Sequence, residues 1–215
     1  MKIIVIGAGA MGCLYGAYLS KHNNVTMLDV YEPQVESINQ NGITVLEEDG
    51  TEQHFSNIRA MKSGTCKEVA DLVIVFVKST HTESSLEENK ELFGENTLVM
   101  TLQNGAGNDR KIAKYVKTEN IIIGTSKHNS VNLGGGKIRH SGNGVTTIGS
   151  NLEENVHLQT VADLLSEAGF QSAVSDDIQR IIWSKLFVNL SINTFTAITE
   201  TPIAYMIENQ YAWDF

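Results

Sequence analysis

Cysteine is scarce: Cys13 and Cys66 are the only two in 215 residues. Their separation matches no metal-ligand spacing, and two cysteines do not make a disulfide scaffold, so both read as reduced thiols. Basic residues are outnumbered, 16 Lys and Arg against 25 Asp and Glu, for a formal net charge of −9. No Lys/Arg-rich cluster interrupts that excess, which argues against a nucleic-acid surface. Long apolar runs are missing too. The opening MKIIVI holds one lysine and four apolar residues between Met1 and Gly7, too short for a signal-peptide core. No later segment reads as long enough to span a membrane, so the chain is expected in the cytoplasm with no membrane partner. There is no internal repeat, no low-complexity segment, no Ser/His/Asp spacing and no metal cluster. His81, His128 and His140 lie in polar surroundings and read as solvated.

What is present suits a globular protein, with 41% hydrophobic residues and enough length for a real core. Ile3 to Ile6, Val25 to Leu28, Leu72 to Val77, Leu98 to Leu102 and Ile121 to Gly124 are short apolar runs, the pattern of strands covered on both faces. Helical stretches fall between them, near Leu14 to Leu19, Pro33 to Asn39, Glu83 to Phe93 and Asp109 to Val116. Strands alternating with helices predict a doubly wound α/β sheet with right-handed crossovers. Ile43 to Phe55 alternates as a hairpin turning at Asp49-Gly50. Lys137 to His140 and Val145 to Ile148 follow three glycines and predict an antiparallel edge. Val156 to Ala168 reads as a helix closed by Gly169. After Ser175-Asp176-Asp177, good helix-start chemistry, only helix is expected. The chain thus divides into a dinucleotide-binding domain, 1–175, and the start of an all-α domain, 176–215.

Gly7, Gly9 and Gly12 form G-x-G-x-x-G, with Ala8, Ala10 and Met11 between them, directly after a strand and at a helix start. One glycine allows the tight turn, one lets backbone approach a pyrophosphate, and one lets helix and strand pack closely. The helix N-terminus then offers free N–H groups and a positive dipole end to phosphates. Asp29 closes the second strand, 22 residues after Gly7. A carboxylate there suits the ribose hydroxyls of NAD and repels a 2′-phosphate, and no Arg or Lys occurs between Val25 and Gln40. The alternative is that Asp29 caps the following helix. The expectation is NAD(H) over NADP(H).

Two more loops follow strands at the edge where such sheets bind ligands. Lys78 follows one strand and either meets a ligand or is a solvated strand-end lysine. Asn104, before Gly105, either forms an ordinary turn or holds nicotinamide, ribose or substrate. The third candidate group is on a helix. Ile181 to Phe195 has 9 large apolar residues in 15 and reads as a helix buried on most sides, yet it carries Lys185, Asn189 and Asn193 at intervals of four. Burying an unpaired amide costs ~1–3 kcal/mol, and an ammonium costs more. The stripe therefore needs partners: a wet cleft with a polar ligand, or a polar seam between helices. Beside a dinucleotide, the ammonium of Lys185 suits general-acid reduction of a carbonyl, and the amides suit substrate positioning.

These pieces resemble the ketopantoate reductase (2-dehydropantoate 2-reductase) family, through GAGAMG at 7–12, VKST at 77–80, TLQNG at 101–105, GGGKIRHSGNG at 134–144 and IWSKLFVNLSIN at 182–193. The resemblance implies an N-terminal Rossmann domain, a helical C-terminal domain and an active site between them. It implies Lys185 as general acid, Asn189 and Asn193 at the substrate, and Lys78 and Asn104 at cofactor or substrate. It further implies NAD(P)H-dependent reduction of a branched 2-oxo acid, 2-dehydropantoate, to the D-2-hydroxy acid, pantothenate-type metabolism and a homodimer formed through the helices. Family members commonly prefer NADPH with a basic residue after the second strand, where this chain has Asp29. That departure raises as an alternative the NAD-dependent D-2-hydroxyacid dehydrogenases of the family, the D-mandelate type. The family also continues through more helices beyond the stripe, whereas this sequence stops at Phe215. Two expectations result: an oxidoreductase, or a truncated NAD-binding remnant that turns nothing over.

Overall fold

The computed structural model describes residues 1–214. In chain order its elements are β1 (Lys2–Ile6), α1 (Ala10–Leu19), β2 (Asn24–Asp29), α2 (Glu32–Asn41), β3 (Ile43–Leu46), β4 (Glu52–Phe55) and β5 (Arg59–Lys62). Next come β6 (Leu72–Val75), α3 (Thr82–Glu88), β7 (Leu98–Thr101), α4 (Asn108–Ile112), β8 (Ile121–Ser126), β9 (Asn129–Gly134), β10 (Lys137–Gly142) and β11 (Thr146–Gly149). The chain closes with α5 (Leu158–Ala168), β12 (Ser172–Val174), α6 (Ile178–Thr199), α7 (Ile203–Glu208) and α8 (Gln210–Asp214).

The main sheet has the order β12-β11-β8-β7-β6-β1-β2-β5. Strands β5, β2, β1, β6, β7 and β8 are parallel, and β11 runs antiparallel to β8. The chain winds outward from β1 to β2 and β5, then returns to build β6, β7 and β8 on the other side. That reversal opens a crevice at the carboxyl ends of β1 and β6, where ligands of such sheets sit.

Strand periodicity places the core. Side chains alternate between faces every residue, and the two faces of this sheet are separate apolar layers. Ile3, Val5, Leu72, Ile74, Leu98, Met100 and Ile122 point to one layer, which α1 and α5 cover. Ile4, Ile6, Val73, Val75, Val99, Ile121 and Ile123 point to the other, which Leu86 of α3, Ile112 of α4 and Ile178 and Ile182 of α6 cover. The continuous apolar runs follow from burial on both faces.

A smaller sheet, β4-β3-β10-β9, packs behind α1. The expected hairpin of β3 and β4 is present. The antiparallel edge is split in two. β11 joins the main sheet, while β10 leaves it and pairs in parallel with β3 and in antiparallel fashion with β9. Gly134, Gly135 and Gly136 all have positive φ, +85°, +60° and +73°, at the β9–β10 turn.

Three expectations need correction. His128 and His140 are each 5% exposed rather than solvated. In β10 the alternation that buries Ile138 buries His140 on the same face, whatever the polarity of its chain neighbours. His81 is exposed, as expected. The helix holding the Lys-Asn-Asn stripe is not buried on most sides: Ile178 and Ile182 are its buried residues. Beyond them Phe187, Val188, Leu190 and Ile198 are more than half exposed. The same 22-residue helix, of mean hydropathy 1.2 over its most apolar window, is long and apolar enough to cross a membrane by length and composition. The expectation that no segment reaches that length looked for unbroken apolar runs, and Ser, Asn and Lys interrupt this one without lowering its average enough. Its first turns dock on the sheet through Ile178 and Ile182.

The glycine turn gives a paired stability test. A Cβ on Gly12 would stand 1.9 Å from the Gly7 carbonyl oxygen, and Gly7 itself has φ +103°. At Gly9 a Cβ would meet nothing within 4 Å. Gly12→Ala is expected to cost at least ~1–3 kcal/mol, an overpacking penalty against backbone that cannot swing aside. Gly9→Ala is expected to stay within about 0.5 kcal/mol of wild type. Thermal or urea melts of the two variants measure the difference.

Candidate active site

The Gly7 to Gly12 turn is held from behind. Gly7 N–H donates to Leu28 O at 2.7 Å and Ala8 N–H donates to Asp29 Oδ2 at 2.6 Å. Gly9 is the N-cap of α1 and provides no side-chain cap, so the first N–H groups of that helix stay available to a ligand. With open space at Gly9, this cradle fits a pyrophosphate. Asp29 does two things at once. Its Oδ1 also accepts from Tyr31 N–H at 2.9 Å, just ahead of α2. Each oxygen retains a further lone pair, so holding these two N–H groups is compatible with ribose binding. The sheet adds a basic group that the sequence window around Asp29 did not contain. Lys62, on the neighbouring strand, is paired in register with Asp29 and binds Glu32 Oε1 at 2.5 Å.

Along the crevice runs a cleft of about 1320 Å³. Its walls come from the ends of successive elements: Met11 from α1, Val77 and Lys78 after β6, Gln103 and Asn104 after β7, Lys127 and His128 after β8, and Lys185, Val188 and Asn189 from α6. Of the residues singled out in the sequence, Met11, Lys78, Asn104, Lys185 and Asn189 meet there. The rest of the glycine turn and Asp29 lie outside its lining, beyond Met11. Asn193 is exposed and off the cleft. Eight residues of helix advance about 12 Å and rotate the side chain about 80°, which carries Asn193 past the rim.

Lys185 is the centre of this arrangement. Its Nζ donates to Ser126 O at 2.7 Å, at the end of β8. Burial, and secondarily the Lys127 ammonium, hold its pKa below the ordinary lysine value. A lysine so placed is a better proton donor than a solvated one. Lys78 and Asn104 are exposed to the cleft.

Gln103 was not singled out by sequence reasoning. Its amide donates to Val77 O and to Thr82 Oγ1 at 3.0 Å, and its Oε1 accepts from Thr101 Oγ1 at 2.9 Å. It therefore binds the loop after β7 to the loop after β6, beside Lys78 and Asn104. Lys111 does the same from α4, through Ser79 O at 2.7 Å. Gln103 lies in a polar loop and Lys111 in a five-residue helix, and neither gave a periodic signal.

Comparison with known proteins agrees with this fold. The profile of "Ketopantoate reductase PanE/ApbA" matches residues 3–153, and that of its C-terminal part matches 177–215. A 2-dehydropantoate 2-reductase of Halobacterium salinarum is 32% identical over 97% of this chain and 69% of its own length. That of Lactococcus lactis is 33% identical over 100% of this chain and 69% of its own. Among solved structures, D-mandelate dehydrogenase with NADH and anilino(oxo)acetate superposes with a TM-score of 0.92 at 29% identity, over 99% of this chain and 69% of that one. The 2-dehydropantoate 2-reductase of Geobacter metallireducens gives 0.91 at 27% identity, over 99% and 70%. The fold is thus shared along nearly the whole of this chain, and the chain belongs to the ketopantoate reductase (PanE/ApbA) family of oxidoreductases.

Proposed function

We propose that the protein reduces a branched 2-oxo acid to the D-2-hydroxy acid, of the 2-dehydropantoate to pantoate type, with a nicotinamide dinucleotide. One observation carries the reading: Lys185 is half-buried, desolvated and on the wall of the cleft that Met11, at the end of the glycine turn, also lines. The dinucleotide supplies the hydride when bound. The cradle of Gly7 to Gly12 holds its pyrophosphate, Asp29 its ribose, and Lys78 and Asn104 the cofactor or the substrate carboxylate. As negative charge develops on the carbonyl oxygen, the Lys185 ammonium donates a hydrogen bond and then its proton. Asn189, one turn along the helix and on the cleft wall, orients the substrate. Asn193, outside the cleft, takes no part.

The D-mandelate type of reaction is the second reading. Asp29 favours it, and so does the likeness to an enzyme solved with NADH. On either reading we assign NAD(H), with NADP(H) as the alternative that Lys62 keeps open. We place the protein in the cytoplasm as a homodimer. The support for a dimer is the uncovered apolar surface of α6 to α8, where Phe187, Ile198, Tyr211 and Trp213 are 62%, 77%, 87% and 69% exposed.

Two measurements test this. Lys185→Ala should lower kcat/KM for 2-oxo acid reduction by ~10²–10⁴, the usual weight of a general acid, while NADH binding holds. In the wild type, kcat/KM should fall as pH rises through the depressed Lys185 pKa, below where an ordinary lysine titrates, and the variant should lose that limb. Unchanged turnover in Lys185→Ala would remove the acid role. Fluorescence titration should show tighter NADH than NADPH binding, and Asp29→Ala should narrow the gap. Tighter NADPH binding by the wild type would overturn the cofactor assignment.

A further inference from the structure

The cleft wall holds a second ammonium that the reading above leaves without a role. Lys127 follows β8, lines the cleft and is exposed to it. Its neighbours fix where its side chain goes. Ser126 Oγ accepts from Tyr15 of α1, and the His128 ring stands edge-on to Tyr15 at 6.2 Å between centroids, so residues 126 and 128 face α1. Lys127 N–H donates to Val145 O at 3.1 Å, which continues the pairing of β8 with β11. Alternation then turns the Lys127 side chain to the other face, that of Ile121 and Ile123, which α6 covers. Lys185 reaches the same place from α6. Its Nζ donates to Ser126 O at 2.7 Å, and that carbonyl is the one joined to the Lys127 nitrogen. Gly144 packs against the foot of the Lys127 side chain: a Cβ there would stand 2.6 Å from Lys127 Cβ and 2.7 Å from Lys127 O.

Two ammonium groups that meet at one peptide repel each other. After burial, Lys127 is the second cause that holds the Lys185 pKa below the ordinary lysine value. Neither charge is offset. Elsewhere exposed lysines sit on carboxylates, as Lys67 on Glu91 at 2.7 Å and Lys90 on Glu87 at 2.8 Å. The cleft lining holds Lys78, Lys127, Arg180 and Lys185 against Asp177, and none of the four cations has an ion pair among the described residues. In a chain of net charge −9, that is a local excess of positive charge, which suits an anionic ligand. The pyrophosphate of a dinucleotide is not the anion for Lys127. Its cradle follows β1, whereas Lys127 follows β8, three strands away across β6 and β7. Strand spacing makes that ~14 Å. What meets Lys127 is the ligand at the far end of the cleft, beside Lys185.

We propose that Lys127 holds the carboxylate of the substrate, a role that rests on reading the cleft as a 2-oxo acid reductase site. A 2-oxo acid carries its carboxylate on the carbon next to the carbonyl. With the carbonyl oxygen on Lys185 Nζ, the carboxylate falls beside it, and the neighbouring ammonium pairs with it. The two lysines divide one substrate between them. Lys185 takes the oxygen on which charge develops, and Lys127 takes the group that is charged from the start. The incoming carboxylate also relieves the repulsion between the two ammonium groups. Lys78 and Asn104, on the loops nearer the glycine turn, are left to the cofactor. Lys127 therefore selects 2-oxo acids over esters, amides and simple ketones of the same shape.

The test uses the wild type and two variants. Lys127→Met keeps the stem and removes the charge, and Lys127→Arg keeps the charge. Lys127→Met should raise KM for a 2-oxo acid ~10–100-fold, the weight of a hydrogen bond to a charged group, with NADH affinity unchanged. Lys127→Arg should restore most of that loss. The kcat/KM of Lys127→Met should also fall ~10–100-fold more for the acid than for its uncharged methyl ester. Equal losses on acid and ester, or no loss on the acid, overturn the proposal. The pH profile gives a readout that a merely structural role would not move. Without Lys127 the Lys185 pKa rises, so the fall of kcat/KM with rising pH should shift to higher pH in Lys127→Met. Lys78, Arg180 and Asp177 remain in the lining, and His128, which burial pushes down to about 4, is neutral at assay pH. A fall that stays in place overturns the proposal as well. Calorimetric titration of the NADH-bound protein with oxamate, an unreactive 2-oxo acid analogue, reads the site without turnover. The wild type should bind it, and Lys127→Met should bind it ~10–100-fold more weakly. Equal binding, or none by the wild type, overturns the proposal. A wild type that binds oxamate through Lys127 but reduces no 2-oxo acid with NADH defeats the reductase reading alone.

Discussion

One backbone position holds the site together. The Ser126 carbonyl, at the end of β8, accepts from the Lys185 ammonium at 2.7 Å, while the Ser126 hydroxyl accepts from Tyr15 of α1 at 3.0 Å and from His128 N–H at 3.1 Å. The helix that follows the glycine turn, the outermost parallel strand and the lysine-bearing helix are thereby fixed to a single residue. Without that carbonyl the half-buried ammonium would stand unpaired, at a cost of several kcal/mol, and the first turns of α6 would lose their polar anchor. Apolar packing does the rest. Tyr15 stacks on Phe170 at 4.3 Å between ring centroids, and Ile178 and Ile182 seat α6 on the sheet.

The same arrangement explains why the site works against stability. A lysine in a wet surface position would keep its full hydration. Here burial and Lys127 lower its proton affinity, which makes it the better acid. The glycine turn trades in the same way: Gly7 accepts a left-handed backbone and Gly12 a contact that no side chain would fit, so that N–H groups face open space at Gly9. Among the described residues, α6 to α8 leave a broad apolar face exposed, at Phe187, Ile198, Tyr211 and Trp213.

Much of the fold was legible because its signals are periodic or local. Strands buried on both faces give unbroken apolar runs, and the order of runs and helices gave the doubly wound sheet. The glycine turn and Lys185 with Asn189 were legible for the same reason, a fixed spacing with a fixed geometry. What escaped depended on long-range pairing. β5, β9 and β12 carry no continuous apolar run of strand length, and only their neighbours make them strands. Lys62 reaches Asp29 through strand register. His140 and Glu47 are 93 residues apart and meet because β10 and β3 pair in parallel. Asn193 stands exposed outside the cleft lining, since a four-residue spacing holds its direction for one turn and drifts off by the second.

The most direct test of the central claim is to watch the Lys185 amine itself, by NMR of protein labelled at lysine Cε. The account predicts a resonance that titrates below the ordinary lysine range and shifts when NADH and an unreactive 2-oxo acid analogue bind together. An amine that titrates like a solvated lysine and ignores both ligands would contradict it.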